Sequence, residues 1–198
     1  MVEPRRYTAV AIGASAGGMK ALNEIFRWLP AEFPAVILVV IHMHPHSDSA
    51  PMVYYFSRQS PLRFKVADEK EVVEPGTAYL APANYHLLVE TDRHLALSID
   101  AKVNFSRPSI DVLFESAAEA DGEELIGLVL TGGSKDGAAG LKRISDCGGY
   151  TIVQDPETAD AFLMPQSALH ECPESLVMAP AAIGRMLRDA VQGGALVI

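Results

Sequence analysis

The sequence has few cysteines and no long apolar run. Its 198 residues include two cysteines, Cys147 and Cys172, without a CxxC spacing, so neither a disulfide framework nor a zinc-binding cysteine motif is indicated. Isolated cysteines suit a reducing compartment, and we expect a cytoplasmic protein. The longest apolar run, Ala35–Ile41, is far too short to cross a bilayer, so we expect no membrane insertion.

Basic residues are also scarce. The chain has 16 Lys and Arg against 25 Asp and Glu, a formal net charge of -9. Nucleic-acid binding needs clustered positive charge, and only Arg5-Arg6 and Lys142-Arg143 place two basic residues together. We therefore expect no nucleic-acid partner. The length predicts a single domain over residues 1–198, large enough to bury a substantial core.

Short apolar runs alternate with helix-like segments along most of the chain. This order predicts an α/β fold with a doubly wound, mostly parallel sheet, a Rossmann-like arrangement of three layers. A small antiparallel hairpin is predicted from His86–Val89 and Leu95–Ser98. The other predicted strands are Thr8–Ile12, Ala35–Ile41, Phe64–Val66, Ala78–Leu80, Leu125–Leu130, Tyr150–Val153 and Leu176–Met178. The predicted helices are Met19–Leu29, Asp48–Gln59, Pro108–Ala120, Asp136–Cys147, Leu163–Leu169 and Pro180–Val191.

Active sites of such sheets lie outside the carboxyl ends of the strands. After the first strand comes Gly13–Gly18 (GASAGG), in which Gly13-x-Ser15-x-Gly17 fits a nucleophile elbow between a strand and a helix. The N–H groups at the start of the next helix are placed to stabilise an oxyanion. A phosphate-binding loop and a plain tight turn are the alternatives for this segment.

The second strand end is His42–Asp48 (HMHPHSD). His42 continues a buried strand and is therefore the most rigidly held of the three histidines; a neutral imidazole there could accept a serine proton. The alternative is a metal-dependent hydrolase that uses His42, His44, His46 and Asp48 as ligands.

The third strand end is Leu130–Gly137 (LTGGSKDG), where Asp136 precedes a helix. Asp136 could simply cap that helix, or its carboxylate could orient a histidine. Together the three strand ends predict a triad of Ser15, His42 and Asp136, with Ser15 Oγ near His42 Nε2 and Asp136 near His42 Nδ1.

These segments, taken together, resemble the catalytic domain of the CheB-type chemotaxis methylesterases, the protein-glutamate methylesterases. The resemblance covers nearly the whole chain. It rests on IGASAGG (Ile12–Gly18), HMHP (His42–Pro45), YLAPANYH (Tyr79–His86), RPSIDVLF (Arg107–Phe114), LTGGSKDGAAG (Leu130–Gly140), QDPETA (Gln154–Ala159) and MPQSA (Met164–Ala168).

The resemblance implies a serine hydrolase that removes methyl esters from γ-glutamyl methyl ester residues on cytoplasmic chemoreceptor helices. Deamidation of receptor glutamines is a further activity of the family. The catalytic residues would be Ser15, His42 and Asp136. The backbone of His42 and Gly133, with Ala16 in the first loop, would supply the oxyanion donors. No cofactor and no metal are implied.

Two further expectations follow from the resemblance. Family members commonly carry an N-terminal receiver domain, and none is expected here because the first predicted strand begins within ten residues of Met1. A separate phosphorylated response regulator is then an expected partner, besides the methylated receptor helices. The family often has threonine where Ala16 stands and methionine where Gly133 stands. A non-catalytic regulatory or binding module that kept the fold therefore remains an alternative.

Overall fold

Apolar strands and amphipathic helices alternate along the chain. The computed structural model describes residues 5–192 and 194–198. The strands are β1 (Arg6–Tyr7), β2 (Ala9–Ala14), β3 (Val36–Ile41), β4 (Arg63–Val66), β5 (Thr77–Leu80), β6 (His86–Val89), β7 (Leu95–Ser98), β8 (Leu125–Val129), β9 (Tyr150–Gln154), β10 (Leu176–Met178), β11 (Val191–Gln192) and β12 (Ala195–Val197). The α-helices are α1 (Gly18–Phe26), α2 (Ala50–Gln59), α3 (Ile110–Asp121), α4 (Ala138–Asp146), α5 (Leu163–Glu171) and α6 (Pro180–Asp189).

Seven strands form one sheet in the order β10-β9-β8-β2-β3-β5-β4, and every neighbouring pair is parallel. β2 lies at the centre, between β3 and β8, and all six of its residues are buried. A strand covered on both faces must be apolar at every position, which explains the sequence AVAIGA. The predicted doubly wound α/β fold is confirmed.

Side chains of β2 alternate between two apolar cores, as the period of two in a strand requires. Val10 and Ile12 pack in the core that contains residues of α1, α2 and α6. Ala9 and Ala11 pack in the core on the other face, with residues of α3, α4 and α5. The predicted hairpin is present as β6 and β7, and it covers this second core through Leu87 and Leu95.

The chain ends form a feature that periodicity did not predict. β1, β12 and β11 make a separate antiparallel sheet, in which Tyr7 lies opposite Leu196. Strands of two or three residues are too short to show an alternating pattern. No helix in the described part of the chain is long and apolar enough to cross a bilayer.

Candidate active site

Ser15 lies on the tight turn between β2 and α1. The turn is closed by Gly17, whose φ of 80° is in the left-handed region that favours glycine. Gly18 N donates to Ser15 O at 2.8 Å, and Ser15 N donates to Thr131 O at 2.9 Å. The serine is half-buried. The strand, the turn and the helix therefore hold Ser15 at the carboxyl edge of the sheet, as the elbow pattern predicts.

His42 follows β3, the strand beside β2. Ala14 and Ile41 are paired in the parallel register, so Ser15 and His42 are the next residues on two adjacent strands. His42 N donates to Ala14 O at 3.0 Å, which extends the pairing by one residue and fixes the backbone of His42. The His42 side chain is 13% exposed. It is thus placed at the same edge of the sheet as Ser15.

Asp136 lies in the loop between β8 and α4, on the other side of β2. Its side chain is completely buried. Five donors surround the carboxylate: His42 Nε2 (2.7 Å), Ile110 N (2.7 Å), Ser109 Oγ (2.7 Å), Asn104 Nδ2 (2.9 Å) and Asp111 N (3.2 Å). Burial by itself raises the pKa of Asp136, but the hydrogen bonds from His42, Asn104, Ile110 and Ser109 outweigh it and lower the pKa below its ordinary value. Asp136 is therefore an anion that faces His42.

The imidazole of His42 is oriented differently from the predicted arrangement. Asp136 Oδ2 contacts Nε2 of His42, at 2.7 Å, and not Nδ1. An anionic carboxylate selects the tautomer with hydrogen on Nε2, so the lone pair lies on Nδ1. Ring orientation depends on packing around the histidine, which a sequence pattern does not carry. In the described part of the chain no hydrogen bond joins Ser15 Oγ to His42; such contacts are often long without substrate.

The predicted oxyanion donors have different surroundings. The N–H of His42 is already used by Ala14 O, so the expectation that it would serve as an oxyanion donor is wrong. Ala16 N and Gly133 N have no hydrogen-bond acceptor among the described residues. These two N–H groups are thus available to an external oxygen atom.

A buried threonine, whose role the sequence did not reveal, joins the loops around Ser15. Thr131 Oγ1 donates to Ala16 O at 2.8 Å and accepts from Ala161 N at 2.9 Å. Thr131 N donates to Oε1 of the buried Gln154, at 2.9 Å. Gln154 ends a buried strand, so the rule of strand ends that selected Ser15 also points to it. The network ties the serine loop to the loops after β8 and β9.

The other missed residues surround Asp136. Asn104, Ser109 and Asp111 all contact Asp136, and Asp111 is itself buried. An aspartate beside Ile110, close to Leu113 on an apolar helix face, is a signal that could have marked Asp111. Asn104 lies on a loop without periodicity, and its position offered no signal.

The histidines after His42 do not join the site. His44 and His46 are neighbours, with ring centroids 5.4 Å apart. Within residues 5–192 and 194–198, no group of three or more His, Cys, Asp or Glu side chains is placed to hold a metal ion. The alternative of a metal-dependent hydrolase using His42, His44, His46 and Asp48 therefore has no ligand set in this part of the chain.

A groove of about 550 Å³ opens beside the buried carboxylates. One wall is α5, with Leu163, Gln166 and His170, and the N-terminal end of α4 forms another part of the lining. Asn104 and Asp111 also line it. The groove reaches Asn104 and Asp111, which both contact Asp136, but Ser15, His42 and Asp136 do not line it.

A serine, a histidine and a buried aspartate thus lie at one edge of the parallel sheet, and these are the residue types on which serine hydrolases rely. Residues 10–187 match the family model described as CheB methylesterase. A relative from Leptospira interrogans is 47% identical over 163 residues, which cover 82% of this chain and 84% of the relative. The chain belongs to the CheB methylesterase family.

Two further similarities agree with this assignment. The protein-glutamate methylesterase FrzG of Myxococcus xanthus is 39% identical over 166 residues, which cover 84% of this chain and 49% of FrzG. The crystal structure of the Thermotoga maritima CheB methylesterase catalytic domain superposes with a TM-score of 0.88 at 34% identity. It covers 94% of this chain, and this chain covers all of it.

Proposed function

We propose that this protein is a protein-glutamate methylesterase that hydrolyses γ-glutamyl methyl esters of chemoreceptors. The observation that carries the proposal is the contact of 2.7 Å between His42 Nε2 and the buried Asp136, beside Ser15 on the adjacent strand end. Membership of the CheB methylesterase family supports the same chemistry. Ser15 is the nucleophile, His42 the general base and acid, and Asp136 the group that orients His42.

The reaction has two halves. His42 Nδ1 takes the proton of Ser15 as Oγ attacks the ester carbonyl, and the C–O bond to the methoxy group breaks when His42 returns this proton to it, which releases methanol. A water molecule then loses a proton to Nδ1 and attacks the acyl-enzyme, and Ser15 Oγ leaves with that proton. Asp136 stays ionised in both halves and stabilises the imidazolium.

The tetrahedral oxyanion would be bound by backbone N–H groups. Ala16 N and Gly133 N have no internal acceptor among the described residues, and Ala16 lies just before the N-terminus of α1, whose dipole favours negative charge. These donors do not depend on side chains. The replacement of the usual threonine and methionine by Ala16 and Gly133 therefore leaves this part of the mechanism intact.

The same acyl-enzyme also forms from a second kind of substrate, with a different leaving group. If the substrate is a glutamine side chain, ammonia leaves in place of methanol and the product is again glutamate. A relative from Carboxydothermus hydrogenoformans, 41% identical over 165 residues, is named protein-glutamate methylesterase/protein-glutamine glutaminase. We extend both activities to this chain. The cytoplasmic location, the single-domain organisation and the separate phosphorylated response regulator remain predictions.

Methanol release from a methylated chemoreceptor fragment tests the proposal. Ser15→Ala is expected to abolish release, because Oγ is the nucleophile. Ser57→Ala, at an exposed serine on α2, is the matched control and should keep wild-type activity. Release that is unchanged in Ser15→Ala would sink the proposal.

A serine-directed phosphonate separates the esterase from a non-catalytic module. The wild type is expected to form one covalent adduct at Ser15, detected by mass spectrometry, and Ser15→Ala none. Absence of the adduct in the wild type, together with absence of methanol release, would favour the regulatory module. If a chelator abolished activity and a divalent metal restored it, the alternative of a metal-dependent hydrolase would be supported.

A further inference from the structure

Beside Asp136 two helices meet, and the N-terminus of each is capped by a side chain from the segment of the other. α3 begins at Ile110 and α4 begins at Ala138, and the preceding residues, Ser109 and Gly137, provide no capping hydrogen bond from a side chain. Free N–H groups at a buried helix start need an acceptor. Each of these helices finds it in an aspartate of the other segment.

The exchange is reciprocal. Asp136, in the loop before α4, accepts from Ile110 N at 2.7 Å and from Asp111 N at 3.2 Å at the start of α3. Asp111, in the first turn of α3, accepts from Gly137 N at 3.0 Å and from Gly140 N at 2.7 Å at the start of α4. The two buried carboxylates therefore fix the helices relative to each other and fix each other's positions.

Asn104 joins the two carboxylates directly. Its Nδ2 donates to Asp111 Oδ2 at 2.6 Å and to Asp136 Oδ1 at 2.9 Å, so one amide nitrogen serves both. The backbone of Asn104 has φ of 49°, in the left-handed region that asparagine adopts more readily than most residues other than glycine. The two hydrogen bonds place the side chain between two acceptors.

We propose that Asp111 and Asn104 are positioning residues for Asp136, acting in series: Asp111 orients the amide of Asn104, and this amide orients the carboxylate that holds His42. This inference rests on the proposed function. Asp111 Oδ2 accepts from the amide of Asn104 at 2.6 Å, so it holds the nitrogen of Asn104, not its oxygen, on this side. With the nitrogen there, its second hydrogen reaches Asp136.

The Asp111→Asn variant breaks this relay and keeps the caps. Oδ1 of the new amide can still accept from Gly137 N and Gly140 N, but its nitrogen meets the nitrogen of Asn104. Rotation of the Asn104 amide relieves that contact but turns its oxygen toward Asp136. The hydrogen bond to the Asp136 carboxylate is then replaced by repulsion between two oxygen atoms. We expect kcat to fall about tenfold, the effect of one lost hydrogen bond to a charged group, with KM unchanged.

A double-mutant cycle tests the relay. Asn104→Ala, which leaves both caps in place, is expected to lower kcat by a similar factor. Asp111→Asn should then have almost no further effect on kcat in the Asn104→Ala background, because Asp111 acts through Asn104. The matched control is Glu115→Gln, an exposed carboxylate on the same helix, with wild-type kcat. Multiplicative effects of the two substitutions, or an unchanged kcat in Asn104→Ala, would overturn the relay.

A second readout does not depend on the reaction. The proton between His42 Nε2 and Asp136 should give a low-field signal in the proton NMR spectrum, and this signal should shift in Asn104→Ala and in Asp111→Asn. Its identity is checked by its loss in His42→Gln. An unchanged signal in both variants would refute the positioning role. If Ser15→Ala keeps full activity but the signal shifts as expected, the proposed function fails and the positioning role stands.

Discussion

The N-termini of α3 and α4 are built alike, yet their two capping carboxylates differ in charge behaviour. Asp136 and Asp111 are both buried, and each accepts two backbone N–H groups and one hydrogen of Asn104. Burial raises the pKa of Asp111 above its ordinary value, and the nearby charge of Asp136 adds to the effect, although the N–H of Gly140 opposes it. The pKa of Asp136 is lowered, because His42 and Ser109 add two donors that Asp111 lacks.

A helix N-terminus alone therefore does not lower the pKa of a buried carboxylate here. Both sites have a helix start, and only the site with additional donors has a lowered pKa. One of these donors, His42, is the candidate general base. The hydrogen bond that lowers the pKa of Asp136 most is therefore also the contact that orients His42.

The largest expected effect is that of Asp136→Asn. An amide in place of the carboxylate no longer selects the Nε2–H tautomer of His42, and loss of this selection in a serine triad lowers kcat by about 10⁴-fold. Initial rates of methanol release measure it, with circular dichroism to verify folding. Asp111→Asn, the corresponding change at the partner carboxylate, should cost about tenfold. Equal losses in the two variants would remove the functional distinction between the carboxylates.

A large effect on stability is expected at Gly137, which begins α4 between the two carboxylates. Its φ is 94°, and a Cβ there would lie 2.7 Å from Ile110 Cγ2. Strained backbone and overlap together predict a loss of about 3 kcal/mol in the free energy of unfolding for Gly137→Ala. Gly148→Ala, where φ is 85° and the nearest neighbour of the new Cβ would lie at 3.5 Å, an ordinary contact, isolates the backbone part. Urea unfolding gives both values, and equal losses would show that the contact with α3 is unimportant.

The opposite pKa shifts predict opposite pH dependence of stability. The contribution of ionised Asp136 is present above its unfolded pKa and is lost as pH falls through its lowered folded pKa. Asp111 has a raised folded pKa, so the wild type gains stability as pH falls through that value. A tenfold difference in proton affinity between the folded and unfolded chains corresponds to about 1.4 kcal/mol of stability.

Urea unfolding between neutral and acid pH compares the wild type with each variant. The advantage of the wild type over Asp136→Asn should shrink as pH falls, and the wild type should improve relative to Asp111→Asn. Parallel curves for the two variants would mean that the carboxylates share one environment.

The sequence predicted which residues meet at the strand ends, but not the contacts that hold these residues in position. Ser15, His42 and Asp136 follow buried strands, and parallel strands bring their carboxyl ends to one edge, so a local pattern implied their proximity. Asn104 contacts Asp136 across 32 residues, from a loop whose path no periodicity describes. The orientation of the His42 ring likewise depends on the position of Asp136 in space. The short strands at the chain ends pair over nearly the whole chain length, beyond any local signal.

The smallest effect is expected at Gly133, in the same loop as Gly137. Gly133 is exposed, its φ lies outside the left-handed region, and a Cβ there would meet nothing within 4 Å. Gly133→Ala should therefore change the free energy of unfolding by less than about 0.5 kcal/mol. The substitution also keeps the N–H that we assign to the oxyanion, so kcat should stay within about twofold of wild type, since a change of about 0.4 kcal/mol corresponds to that factor. A tenfold loss of kcat without loss of stability would instead show that the substrate packs against Gly133 Cα, and that the loop contributes shape as well as a hydrogen bond.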